Sequence, residues 1–208
     1  MALTDDQIDL YSRQIILQEL GGVGQKKLLD GRCLLRGSGP AFEAAATYLV
    51  GAGVGVVDLL RSVTDAPVAF APIETRNPHV RPGGAATPAL ASYDVLLDAP
   101  GALSVDTGPG HARRGEIAVY GGPAQSFIDL VPSRSGCIAC CAPERAQEPM
   151  PALDALQAGS LAALAALLWL AEIGPETGPR RMTLARNAPT WTENALGPTS
   201  ACSRPCRP

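Results

Sequence analysis

The residues whose spacing speaks most directly to chemistry are six cysteines: Cys33, Cys137, Cys140, Cys141, Cys202 and Cys206. Cys137 and Cys140 form a C-x-x-C, and Cys202 and Cys206 a C-x-x-x-C. Thiolates at such spacings suit structural zinc, with free thiols as the alternative use. Cys141 stands beside Cys140 and could replace it as a ligand. A catalytic cysteine is not expected: Cys141 has no basic neighbour before Arg145, and Cys33 lies within an apolar run as a small buried residue. The second chemical feature is Gly37-Ser38-Gly39, a glycine turn of the kind that brings backbone N–H groups to a phosphate at a helix N-terminus. The only histidines are His79 and His111, the latter in a Gly/Pro-rich stretch that reads as solvated loop. They support no Ser–His–Asp set and no histidine metal site.

The whole chain narrows the function classes. Its 208 residues suit one domain, with an N-terminal helical arm over 1–30, a core over 31–132 and a Cys-rich segment, interface helix and tail over 133–208. A hydrophobic fraction of 46% allows a real core, and a net charge of -3 with scattered Lys and Arg argues against nucleic-acid binding. The polar opening Thr4-Asp5-Asp6-Gln7 has no apolar run after it. The expectation is therefore a cytoplasmic protein with reduced thiols. The stretch 155–171 carries no charge but falls short of the roughly 20 apolar residues of a bilayer span. It reads as a helix buried all round, in a core or a subunit interface, and no membrane partner is expected.

The elements that must position these residues follow from periodicity. Residues 5–29 read as helical, with apolar positions at Ile8, Tyr11, Ile15 and Leu20 and a break at Gly21-Gly22. Residues 32–36 read as a strand, 41–50 as an Ala-rich helix and 54–60 as a second strand. This is the βαβ opening of a doubly wound sheet. Residues 61–92 hold five prolines and are expected to be irregular. Further strands are expected at 93–98, at 116–120 and 126–131 (antiparallel across Gly121-Gly122-Pro123) and at 181–186, with a long helix over 153–173 and a loop tail from Ala188.

Tyr11-Ser12-Arg13-Gln14-Ile15-Ile16-Leu17 and Gly24-Gln25-Lys26-Lys27-Leu28 resemble the N-terminal signature of the MoeB/ThiF/E1 superfamily. The resemblance runs on through Gly37-x-Gly39, Gly51-Ala52-Gly53-Val54-Gly55, Asn77-Pro78-His79, the strand ending at Asp98, Cys137-x-x-Cys140, Gly159-Ser160 and the terminal cysteine pair. It implies a Rossmann-like, doubly wound, mostly parallel α/β sheet with helices on both faces. It also implies ATP- and Mg²⁺-dependent adenylation of the C-terminal glycine of a ubiquitin-like or sulfur-carrier protein. Of this chain's residues it implies a nucleotide site at Gly37, Gly39 and Asp98. It further implies one zinc held by Cys137, Cys140, Cys202 and Cys206, which would staple the C-terminal tail to the domain.

The departures fall on that chemistry. Where the family reads Gly-x-Gly-Gly-x-Gly, this chain reads Gly37-Ser38-Gly39-Pro40-Ala41-Phe42. Pro40 has no N–H to offer a phosphate, Phe42 is bulky, and Glu43 brings negative charge beside the expected anion. Arg61 stands where the family has its ribose-binding Asp, with Asp58 earlier in the strand. No Arg-Gln and no Lys follow it, although Arg76 could reach a phosphate. The Asp-Asn after the Asp98 strand is replaced by Gly101-Ala102. Phosphoryl chemistry rests on positioning and charge neutralisation, so ATP and Mg²⁺ are not expected to bind in cis. Arg13 is retained. In dimers of the family the arginine at this place enters the partner's ATP site, the alternative here being an ion pair with Asp9 on its own helix. The sequence thus suggests a non-catalytic subunit, dimeric with itself or with an active E1-like chain. An adenylyltransferase with a remodelled site and a homodimeric scaffold remain as alternatives.

Overall fold

The computed structural model describes residues 2–61, 77–82, 89–99, 111–141, 148–175, 177–186 and 190–197. Two short helices open the chain, α1 (Asp5–Ile15) and α2 (Gly21–Asp30). Thr4 and Gln7 close a reciprocal capping box at the start of α1, which satisfies two otherwise orphaned N–H groups. Then come β1 (Arg32–Gly37), α3 (Gly39–Gly51), β2 (Val56–Arg61), β3 (Arg81–Pro82) and β4 (Val95–Asp98). They are followed by β5 (Gly115–Gly121), β6 (Gln125–Pro132), α4 (Ile138–Cys141), α5 (Ala152–Ala171), β7 (Arg180–Ala185) and β8 (Trp191–Ala195).

The strands form one sheet in the order β3-β2-β1-β4-β5-β6-β7-β8. β3, β2, β1, β4 and β5 run parallel, and β6, β7 and β8 add to the far edge antiparallel. The expected hairpin across Gly121-Gly122-Pro123 is the β5–β6 pair. The chain leaves β1 toward β2 on one side and returns to β4 on the other. Such a reversal opens a crevice beyond the carboxyl ends of the strands, where open α/β sheets bind ligands.

Alternate residues sort to the two faces, as the pleat requires. Cys33 and Leu35, Val95 and Leu97, Ile117 and Val119, and Ile128 and Leu130 join α3 and α5 in the main core. Leu34 and Leu96 face the other way onto Leu90 and Tyr93, while Ala118 and Tyr120 face Cys137, Ile138 and Cys141. Burial on both faces explains why the central strands read as unbroken apolar runs. Among the described residues, the second face is covered by a 3₁₀ turn at Leu90–Ser92 and by α4 rather than by long helices.

Two expectations are corrected. The tail was expected to be loop, yet β8 pairs antiparallel with β7 from Leu184↔Trp191 to Arg180↔Ala195. β8 is an edge strand whose residues are all exposed, so it lacks the apolar alternation that marks a half-buried strand. The long helix is not buried all round. Ala155, Ala158, Gly159, Ala162, Ala163 and Ala166 line its inner face, while Leu153, Leu156, Leu164 and Leu168 are exposed on this chain. By length and composition α5 could cross a membrane, but here its inner face packs on α3 and the sheet.

Candidate functional site

The crevice is built from the ends of β1, β2 and β4 and the first turn of α3. Gly37 ends β1 at φ 130°, and a Cβ there would lie 2.6 Å from the Ala99 carbonyl oxygen just past β4. Gly39 follows at φ 74°, another conformation that L side chains rarely adopt. Ser38 sits extended at the N-cap of α3 without a capping bond from its hydroxyl. Pro40 lies in the first turn, so the N-terminus that would face a phosphate has one donor fewer.

The charged groups of this crevice are bound to one another. Arg36 and Asp98 are register partners on β1 and β4, and Arg36 Nη2 donates to Asp98 Oδ2 at 2.9 Å with both side chains largely buried. Arg61, at the end of β2, pairs with Glu43 on α3, and its guanidinium lies 4.8 Å from the centre of the Phe42 ring. Phe42 and Glu43 are buried, whereas the Arg61 side chain is 46% exposed. The Glu43 carboxylate, beside the place expected for an anion, is held by Arg61. Asp58 lies within β2 and accepts from the Tyr93 hydroxyl on the sheet's second face. Burial, and then the hydrogen bond to Asp58, push the Tyr93 phenol up to about 12.

A second cluster lies around α4. Cys137, Cys140 and Cys141 are all buried, and Cys137 Sγ is 3.2 Å from Cys140 Sγ. Cys140 takes part in a disulfide, and Cys141 is a free thiol. Cys141 Sγ turns to the Ser135 carbonyl at 3.8 Å, and burial first, then Cys137, raises its pKa. Neither it nor Cys33, raised mainly by complete burial, has the environment of a reactive thiolate. His111 is not solvated loop as expected. Its Nδ1 is 3.2 Å from Oε1 of the buried Glu116, whose Oε2 accepts from the Ile138 N–H at 3.0 Å.

No family model matches the chain. Among curated proteins it is 48% identical over 58 residues to the adenylyltransferase and sulfurtransferase MOCS3 of Anopheles gambiae, covering 28% of this chain and 13% of that one. It is 46% identical over 57 residues to the sulfur carrier protein ThiS adenylyltransferase of Escherichia coli K12, covering 27% and 23% respectively. The match thus spans under a quarter of these relatives' own length. Among solved structures, E. coli MccB with MccA-N7isoASN superimposes with a TM-score of 0.71 at 15% identity, covering 94% of this chain and 74% of that chain. MccB with ATP gives 0.69 at 16% identity, and PaaA gives 0.64 at 12%. The chain is thus similar over part of its length to adenylyltransferases of the MoeB/ThiF E1-like superfamily, and it shares the fold of MccB.

The E1-like fold gathers Gly37, Gly39 and Asp98 at one crevice, with Arg36, Glu43 and Arg61 among them. Arg13 lies apart, exposed on α1, and forms no ion pair with Asp9 or any other acid among the described residues. Cys202 and Cys206 lie outside the described residues, as do Arg76, Gly101 and Ala102. The four-cysteine zinc set is therefore represented by Cys137 and Cys140 alone. A zinc ligand must be a thiolate, so this set would hold zinc only with the disulfide at Cys140 reduced.

The Asn77-Pro78-His79 segment ties α1 to the core. Asn77 Nδ2 donates to the Val50 carbonyl at 2.8 Å and exchanges hydrogen bonds with the buried Tyr11 hydroxyl, over which the His79 ring is tilted at 6.1 Å. This link between α1 and the core was missed from sequence. Its trace is Gly53, where a Cβ would meet the Tyr11 ring at 2.5 Å. The Arg36–Asp98 and Arg61–Glu43 pairings were also missed, because they join residues that only the sheet register and the β2–α3 packing bring together.

Proposed function

We propose that this chain is a non-catalytic E1-like subunit that pairs with an active E1-like chain and lends it Arg13. The partner's substrate would be a ubiquitin-like or sulfur-carrier protein. The observation that carries this reading is the pairing of charges in the crevice. Asp98, which the family resemblance assigns to metal and nucleotide chemistry, is bound to Arg36. Arg61 occupies the ribose-binding position and is bound to Glu43. An incoming Mg²⁺·triphosphate would have to separate both pairs, leaving Glu43 buried and unpaired beside the ligand's own negative charge. The glycine turn that remains has lost a donor at Pro40. Arg13, in contrast, is exposed on α1 and has no ion-pair partner among the described residues. A guanidinium fork supplied from outside is well suited to phosphate.

The second reading is an active adenylyltransferase, favoured by the names of the curated relatives, which are adenylyltransferases. ATP–pyrophosphate exchange separates the two. The chain alone, given ATP, Mg²⁺ and a candidate carrier, is expected to give no exchange above background. Exchange by the chain alone would overturn the non-catalytic reading. Exchange by a reconstituted pair that falls about a hundredfold or more with Arg13→Ala would support it, given the scale of rate effects for arginines supplied in trans.

A further inference from the structure

The leucines left bare on α5 fall into a single row. Leu153, Leu156, Leu164 and Leu168 are between 37% and 77% exposed, and the partly buried Ser160 stands between the two pairs. Successive members of the row lie three or four residues apart, which keeps all five on one stripe of the helix. The opposite stripe is spent on α3 and the sheet. The row is also free of charge, since no Asp, Glu, Lys or Arg stands between Asp154 and Glu172. Both flanking acids are held within the chain, Asp154 by Arg186 and Glu172 by Lys27 and Arg114. Gln157 is the exposed polar residue at the margin of the row.

We propose that two copies of this chain associate through this row, their α5 helices packed antiparallel across a two-fold axis beside Ser160. The feature that selects a second copy as the occupant is the symmetry of the row itself. A two-fold interface must be self-complementary, residue i meeting j while j meets i. Reversed about Ser160, the row falls back on itself to within one residue. Leu156 of each copy then meets Leu164 of the other, Leu153 meets Leu168, and Ser160 meets its own counterpart. Leucine opposes leucine, and the small side chain lies at the crossing, where it lets the two helices approach. Ser160 Oγ donates to the Leu156 carbonyl at 2.7 Å, so its hydroxyl keeps a partner once water has left. No charge is buried by the contact, as the core of an interface requires.

The area sets the strength. α5 has 20 residues, so its outer face is about 30 Å long and about 10 Å wide. Roughly 300 Å² per copy is less than the roughly 800 Å² per partner of a standard interface, which places the dissociation constant at about 1–100 µM. This self-association uses neither Arg13 nor the nucleotide crevice. Its failure would leave the non-catalytic reading untouched.

The test is sedimentation equilibrium of the full chain alone, reduced, from about 1 to 300 µM, a range that brackets the expected constant. A monomer–dimer equilibrium is expected. Leu164→Glu would bring an unpaired charge into the seam from both copies and is expected to weaken the dimer about tenfold or more. Ile16→Glu, at an apolar residue 79% exposed at the end of α1, is expected to leave the dimer intact. Both positions are open to water in the monomer, and matched far-UV spectra check that the variants fold. The antiparallel arrangement is read separately by oxidation. Ser160→Cys is expected to give a disulfide-linked dimer above the level of the unaltered chain, and Leu168→Cys is not, because its counterpart lies at the far end of the pair. A chain that stays monomeric throughout, a Leu164→Glu variant that dimerises like the parent, or loss of the dimer in Ile16→Glu would each overturn the proposal. So would cross-linking of Leu168→Cys as readily as Ser160→Cys.

Discussion

At the scale of single residues, the crevice differs from a nucleotide site through where charge is held. Arg61 and Glu43 make a pair that is half open to water, so its Coulombic gain is modest. Its significance is that the buried carboxylate has its partner within the chain. Tyr93 and Asp58 make the corresponding contact on the other face, where Asp58 Oδ1 has no hydrogen-bond partner among the described residues. Tyr93→Phe would leave the rest of that carboxylate unsatisfied and is expected to cost about 1–3 kcal/mol in denaturant unfolding at neutral pH. The pH dependence has a definite sign. The Tyr93 pKa is raised from 10.0 to about 12 on folding, so its contribution is complete below pH 10 and is lost as the pH rises through about 12. The variant should therefore lose stability less steeply than the parent between pH 10 and pH 12. Parallel alkaline curves would contradict the assignment.

At the scale of elements, the fit of α5 to α3 is what closes the main core. Both helices present alanines, and at Gly159 a Cβ would collide with the Ala41 carbonyl. Gly159→Ala is expected to push the helices apart and destabilise the chain by about 1–3 kcal/mol, seen as a lower melting temperature. A neutral or stabilising effect, as helix propensity alone would give, would contradict this close approach. The central elements were legible in the sequence because apolar runs and glycine turns mark them: β1, α3, β2, β4 and the β5–β6 hairpin fall where the pattern puts them. β8 was not legible, since an exposed edge strand such as Trp191–Ala195 has no buried face to write into the sequence. The inward and outward faces of α5 were not separable either. An uncharged stretch of alanine and leucine gives little sign of which leucines the fold will leave bare.

At the scale of the whole molecule, the order of the sheet decides which residues meet. Gly37, Gly39 and Asp98 could be assigned to one crevice from sequence only through the family resemblance, and the sheet order brings them together at the switch point. That Asp98 would meet Arg36, and Glu43 would meet Arg61, depends on strand register and helix rotation, which no local pattern encodes. His111 was assigned to solvent for the same reason, its partner Glu116 becoming visible only once β5 was placed beside it. The central claim is that these internal pairs, with Pro40 in the first turn of α3, leave no cis site for the nucleotide. Isothermal titration of the chain alone with ATP·Mg²⁺ tests it most directly. No binding is expected into the millimolar range, equivalent to a free energy weaker than about −4 kcal/mol. A micromolar dissociation constant, about −8 kcal/mol, would mean that the pairs open for nucleotide, and would contradict the claim.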